Sequence, residues 1–172
     1  MIEIHNNIFV GNEQDYYSIQ RDSGWGILHC CKSPFHQAMV GYSGNLQSTH
    51  PNYAYIIQGN QMALNLVDMD IFNAISVNYV EFNRNMFEQA FVFLDKQVAI
   101  GNKVLIHCNQ GESRAPSLGM LYVARLGKWN WADFETTMKE FVSIFPRYSP
   151  KKNILMNIKL SWNYFIKNQN SN

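Results

Sequence analysis

Cys108 and Arg114 stand with five residues between them in the run His107-Cys108-Asn109-Gln110-Gly111-Glu112-Ser113-Arg114, and Gly111 lies midway. A cysteine thiolate is a nucleophile, and a guanidinium presents a planar fork that fits two oxygens of an anion. The apolar run Val104-Leu105-Ile106 leads into this stretch, and an amphipathic run from Leu118 to Leu126 leads out. That pattern predicts strand, tight loop and helix. In such a loop the backbone N–H groups converge on one point, and the helix adds its positive N-terminal end there. A cysteine in that field ionises below its free value. The chemistry it points to is thiolate attack on a phosphate ester.

The elements that must hold this loop are legible as an alternation. Ile8 to Gly11 predicts a short strand and turn, Trp25 to Cys31 a buried strand, and Met62 to Val67 another, with Asp68-Met69-Asp70 at its exit. Residues 32–60, rich in Gly, Ser, Asn, Gln and Tyr, read as a long excursion with one short helix or strand. Phe87, Ala90, Phe91, Leu94 and Val98 form a helical stripe; Gly101-Asn102 turns the chain into the strand Lys103 to His107. A helix follows from Arg114 to Leu126, with Pro116 in its first turn and Gly127 at its C-terminal end. Asn130 is placed as the cap of a helix with face Phe134, Met138, Phe141, Val142 and Phe145, stopped by Pro146. Ser149-Pro150 is placed as the cap and first residue of a last helix through Ile166. Trp129, Trp131, Trp162 and Tyr164 are assigned to the core, and Lys151 and Lys152 to an exposed first turn. The fold class expected is α/β: three layers, with a central, mostly parallel sheet of short strands flanked by helices.

With 172 residues, one domain spanning 1–172 is expected. The charge is +1, which gives no bulk attraction to nucleic acid or membrane. Glu3 and His5 interrupt the start, so no secretory leader is expected, and no apolar run approaches the roughly 18 residues of a spanning helix. Three cysteines fit a reducing cytoplasm better than a disulfide framework. His29, Cys30, Cys31 and His36 are metal-ligating types. Adjacent cysteines on one strand face opposite ways, so no shared zinc site is expected.

The motif HCNQGESR has the HCxxGxxR pattern of the cysteine-dependent protein tyrosine phosphatases, and its context resembles their compact dual-specificity branch. Ile4 to Gly11 is similar to that branch's opening strand and turn, Leu64 to Asp70 to its strand into the acid loop, and Phe145 to Pro150 to the break before its last helix. The resemblance implies a phosphocysteine mechanism. Cys108 attacks phosphorus, an aspartic acid protonates the leaving oxygen and then activates water, and Arg114 with the N–H groups of Asn109, Gln110, Gly111, Glu112 and Ser113 holds the phosphoryl oxygens. It implies no metal and no cofactor. Asp68 and Asp70 precede Cys108 by 40 and 38 residues. Both are candidates for the acid, with Asp70 placed first and a small insertion assumed around Ile71 to Val80. His107 is expected to point away from the anion, bond the loop and favour the thiolate. Cys30 or Cys31, by resemblance, is a candidate for a reversible disulfide with Cys108.

One position departs from the family. Ala115 stands where Ser or Thr usually follows the arginine, which implies slow release of the phosphocysteine rather than loss of phosphate binding. Glu112 argues against polyanionic inositides. A phosphorylated protein side chain or another phosphomonoester is the expected substrate, with Tyr42, Tyr53 and Tyr55 candidates for a pocket wall. Two other classes stay open: a phosphate-binding module with little turnover, and a rhodanese-like sulfurtransferase or arsenate reductase. No nucleic-acid or membrane partner is expected.

Overall fold

A computed structural model describes residues 1–70, 77–128 and 133–167. The chain runs β1 (Ile2–His5), β2 (Ile8–Gly11), α1 (Glu13–Ile19), β3 (Trp25–His29), an irregular helical turn (Lys32–His36), α2 (Gln37–Val40), β4 (Tyr55–Gln58) and β5 (Gln61–Leu64). It continues with α3 (Val77–Ala99), β6 (Lys103–His107), α4 (Arg114–Arg125), α5 (Phe134–Ile144) and α6 (Lys152–Lys167). The strands form one mixed sheet in the order β1-β2-β6-β3-β5-β4. The three inner pairings, β2 with β6, β6 with β3 and β3 with β5, are parallel, and the outer two are antiparallel. This is the α/β architecture expected.

The inner strands are covered on both faces, so their sequences are nearly continuous apolar runs. Ile27 and Leu105 face one side, where Ile19 of α1 packs; Leu28, Val104 and Ile106 face the other, against the cluster that includes residues of α3, α4 and α6. Gly119 lets α4 lie close on the sheet: a Cβ there would come within 2.7 Å of Val10. β6 thus lies, with β3, in the middle of the sheet, and the loop that leaves its end is anchored between two buried faces.

Several boundaries differ from the sequence expectation. The excursion at 32–60 holds a helical turn, α2 and β4. β5 ends at Leu64 rather than Val67, because the Leu66 carbonyl is taken by Lys32 N–H and by Arg114. α3 begins at Val77, well before the predicted stripe; Phe87, Ala90, Phe91 and Leu94 are buried, whereas Val98, in the last turn, is exposed. Asp133 caps α5 by accepting from Thr136 N–H. Asn130, Trp129 and Trp131 lie outside the described residues. Val142 is exposed. α6 starts at Lys152, not after Ser149: the Ser149 N–H is spent on Glu112 O and the Lys151 N–H on Ser113 Oγ. Trp162 is buried as expected, but Tyr164 reaches outward to Glu88. Among the described residues no helix is long and apolar enough to cross a membrane.

Candidate active site

Cys108 leaves the end of β6, where strand alternation and burial on both faces fix its position; it is 2 % exposed. The loop after it is pinned from outside by its carbonyls. Asn109 O accepts from Glu13 N–H (3.3 Å), Gln110 O from Arg147 (3.2 Å) and Glu112 O from Ser149 N–H (2.8 Å). A trans peptide points its C=O and the next N–H in opposite directions. Three outward carbonyls therefore turn the N–H groups of Gln110, Gly111 and Ser113 inward, and none of the three donates to another described residue. That is a cradle of amide hydrogens, with the N-terminus of α4 behind it.

Gly111 makes this path possible. Its φ is +71°, and a Cβ would lie 2.7 Å from the carbonyl oxygen of Gly11. No L side chain fits there without shifting backbone. In the sequence Gly111 only stands midway in the loop, and the close approach of the β2 exit leaves no mark there.

Arg114 opens α4 with its guanidinium held on three sides. Nη2 donates to Asn109 Oδ1 (2.9 Å), Nη1 to Leu66 O (3.4 Å), and Nε lies 3.5 Å from Asp68 Oδ2. The last contact is an ion pair without hydrogen-bond geometry, so Nε is left unbonded. Asn109 is in turn fixed by donating to Ser33 O. Ser113 Oγ donates to Asp68 Oδ1 (2.9 Å) and accepts from Lys151 N–H. The Glu112 side chain points out to Arg147 at 3.4 Å.

The two acid candidates part company. Asp68 sits against Ser113 and Arg114, with its side chain 18 % exposed. Asp70 points outward, 62 % exposed, and pairs with Lys151 Nζ at 3.2 Å; that hydrogen bond draws its carboxyl below the usual range. Asn153 of α6 clamps the segment on both sides of Asp68. Its Oδ1 accepts from Met69 N–H (2.9 Å) and its Nδ2 donates to Val67 O (3.0 Å). Asn157 supports Asn153 O (2.7 Å), and Asn83 of α3 supports Asn157 (3.0 Å). Asn153, Asn157 and Ser161 are buried at helical spacing beside Ile154 and Ile158, and this polar stripe on the inner face of α6 was the missed signal.

Beside the acid segment lies a cleft of about 750 Å³, with Lys32, Tyr53, Asn65, Val67, Met69 and Tyr79 among its walls. Tyr42 instead pairs with His36 Nδ1, and Tyr55 packs on the core. His36 Nε2 bonds Asn52 O, and among the described residues no group of three His, Cys, Asp or Glu is set to hold a metal.

Behind the loop, the His107 ring meets the Cys108 backbone, where the loop begins, and a second ring. Its Nε2 lies 2.5 Å from Nδ1 of His29. Burial, then the neighbouring His29, pushes its imidazole well below the ordinary value. Burial holds His29 at about 4. Cys30 and Cys31 are free thiols, both fully buried. Burial raises both, Cys31 to about 12, and Cys108 lies near enough to act on each.

Neither a family model nor a curated protein matches the sequence. The structure does have similar solved structures. It aligns with the human tyrosine phosphatase-like serine/threonine/tyrosine-interacting protein at a TM-score of 0.62 and 16% identity, covering 96% of this chain and 97% of that one. It aligns with human DUSP28 at 0.60 and 11% (99% and 95% covered), and with PTPMT1 in complex with PI(5)P at 0.60 and 14% (96% and 97% covered). The chain has the fold of the dual-specificity and tyrosine phosphatases.

Proposed function

We propose that this chain, acting as one catalytic domain, hydrolyses phosphomonoesters through a phosphocysteine. The observation that carries this reading is the cradle of inward N–H groups over Cys108, closed by a guanidinium held on three sides. The phosphoryl oxygens take the N–H groups and Arg114, and Cys108 sulfur attacks phosphorus in line with the leaving oxygen. Asp68 is the acid, ahead of Asp70, because it alone of the two reaches the loop. An incoming phosphate competes for Arg114, releases Asp68 from its ion pair and, by its own negative charge, favours the protonated carboxyl. Asp68 gives that proton to the leaving oxygen as the P–O bond breaks. In the second step it takes a proton from water; the water oxygen bonds phosphorus and the S–P bond breaks, returning the thiolate.

Two cations near the rim are already matched: Arg147 pairs with Glu112 and Lys151 with Asp70. That favours a single phosphate on a protein side chain, or another monoester, over a polyanionic inositide. The cleft beside Asp68 gives the rest of such a substrate a place to lie.

Ala115 supports a second reading, a phosphate binder that turns over slowly. It is fully buried, and the two nearby hydroxyls are committed elsewhere: Ser113 to Asp68, and Ser117 to Tyr148 OH at 2.9 Å. The two readings separate in one experiment with p-nitrophenyl phosphate. The wild type releases a burst of nitrophenol and then a slower steady rate, Ala115→Ser raises the steady rate with the burst unchanged, and Cys108→Ser shows neither. Turnover by Cys108→Ser, or no affinity of the wild type for tungstate, sinks the phosphatase reading. Tungstate binding with no burst leaves the binding module.

A further inference from the structure

The cleft beside Asp68 holds a charge that the reaction above does not use. The segment that carries the acid serves two faces at once. Asp68 turns to Ser113 and Arg114, while its neighbours Val67 (38 % exposed) and Met69 (39 %) line the cleft. Tyr53 and Phe82 add an aromatic wall, their ring centroids 5.7 Å apart. Among the described residues that line this space, Lys32 is the only charged one.

Lys32 follows β3 and stands between the cleft and the phosphate cradle. Its backbone N–H donates to Leu66 O (3.1 Å), the carbonyl that also takes Arg114 Nη1 (3.4 Å). The next carbonyl, Ser33 O, takes Asn109 Nδ2 (3.1 Å), and Asn109 in turn holds Arg114. Backbone contacts therefore tie this stretch to the acid segment and to the loop. The ammonium is not tied. Among the described residues it makes no ion pair or hydrogen bond, unlike Arg114, Arg147 and Lys151. His36, a group on which Lys32 acts, offers no negative charge. Burial first, with Lys32 adding to it, holds that imidazole below its ordinary value.

We propose that Lys32 determines substrate choice: it pairs with the carboxylate of an acidic residue close in sequence to the phosphorylated one, while Val67, Met69 and Tyr53 take the apolar part of that chain. This deepens the phosphatase reading and rests on the phosphoryl group lying in the Cys108 loop. Charge decides the occupant. A cleft with one cation and no acid among its described walls favours an anionic segment over a neutral or basic one. An ammonium is a point charge without the fork of an arginine, so it balances one carboxylate. A second phosphate brings close to two charges and three acceptor oxygens, more than one lysine matches. Because Lys32 and Arg114 share one carbonyl, the carboxylate lies within about three residues of the phosphorylated one, roughly 10 Å of extended chain.

Short peptides with one phosphorylated residue, tyrosine in one series and serine in another, carry Glu, Gln or Lys at each neighbouring position. Their kcat/KM is read with the wild type, Lys32→Met and Lys32→Glu. Their Kd is read by fluorescence anisotropy with Cys108→Ser, alone and combined with each Lys32 change. The wild type prefers the best Glu peptide to its Gln counterpart by about fivefold, the size of a partly exposed ion pair. The gap closes in about 0.5 M salt. Lys32→Met levels the two peptides, and Lys32→Glu reverses the order in favour of the Lys peptide. Each result is a ratio within one protein, so a variant of lower activity still gives an answer. Equal handling of Glu and Gln at every position by the wild type, or a Glu preference that survives both variants, overturns the proposal. A second phosphoserine that outdoes Glu at the same position also overturns it. Hydrolysis of p-nitrophenyl phosphate without binding of any peptide overturns it too, and leaves the phosphatase reading standing. If neither p-nitrophenyl phosphate nor any peptide is hydrolysed, the phosphatase reading falls, and the anisotropy ratios alone decide the role of Lys32.

Discussion

The loop after Cys108 and the segment around Asp68 meet at Arg114, but they are built in opposite ways. The loop is one contiguous run between a buried strand and a buried helix, and its shape is held through its own backbone carbonyls. The acid segment has no regular structure, and side chains from far along the chain hold it: Ser113, Arg114 and, above all, Asn153. A site made by one stretch of backbone tolerates change in most of its side chains. A site assembled by distant side chains is lost one hydrogen bond at a time.

The largest effect that breaks this comparison is at the acid. Asp68→Asn is expected to lower kcat for p-nitrophenyl phosphate by about two to four orders of magnitude, the usual contribution of a general acid. Asp70→Asn is expected to lower it less than threefold or so, since its partner is a surface lysine. A larger loss in Asp70→Asn than in Asp68→Asn would return the acid role to Asp70.

The next effect sharpens the contrast between the regions. Gly111→Ala forces a left-handed φ on alanine and drives its Cβ into Gly11, so tungstate affinity and activity fall together. Asn153→Ala loosens Asp68 and leaves the cradle alone. Tungstate affinity holds while kcat falls by about tenfold, since both bonds that clamp the segment are lost. If isothermal titration shows Asn153→Ala losing tungstate as well, the regions are one unit.

The smallest effect is on stability. His29 is held at about 4 in the folded chain against an ordinary 6.5, so the unfolded chain binds more protons between those values. Stability that is full above about 6.5 is lost as pH falls toward 4, by up to about 3 kcal/mol for this group. His107 shifts in the same direction. Urea unfolding at pH 7 and pH 5 measures the slope, and His29→Phe is expected to flatten it. An unchanged slope would mean that the ring is not buried neutral.

How far the chain could be read in advance follows the same division. The strand Lys103 to His107, the loop and α4 were legible because apolar alternation, a Gly and a helical stripe lie next to one another. The choice between Asp68 and Asp70 was not, since both follow one strand and only the fold shows which carboxylate turns inward. The start of α6 was misplaced for a related reason: Ser149-Pro150 has the local chemistry of a helix start, but its N–H is taken by the Cys108 loop. Asn153 carried only the polar stripe of α6, which does not say what it holds, and the burial of His29 carried no local signal. Their partners lie 84 and 86 residues away for Asn153, and 78 and 32 for His29.

By itself the sequence determined the cysteine, the arginine and the turn between them, because a backbone cradle is a local object whose geometry follows from a few adjacent residues. Only the tertiary structure decided which carboxylate stands against that loop, what clamps it, and which ring the buried His107 meets. Those are settled by hydrogen bonds between segments far apart in the chain, and such bonds leave no pattern along it.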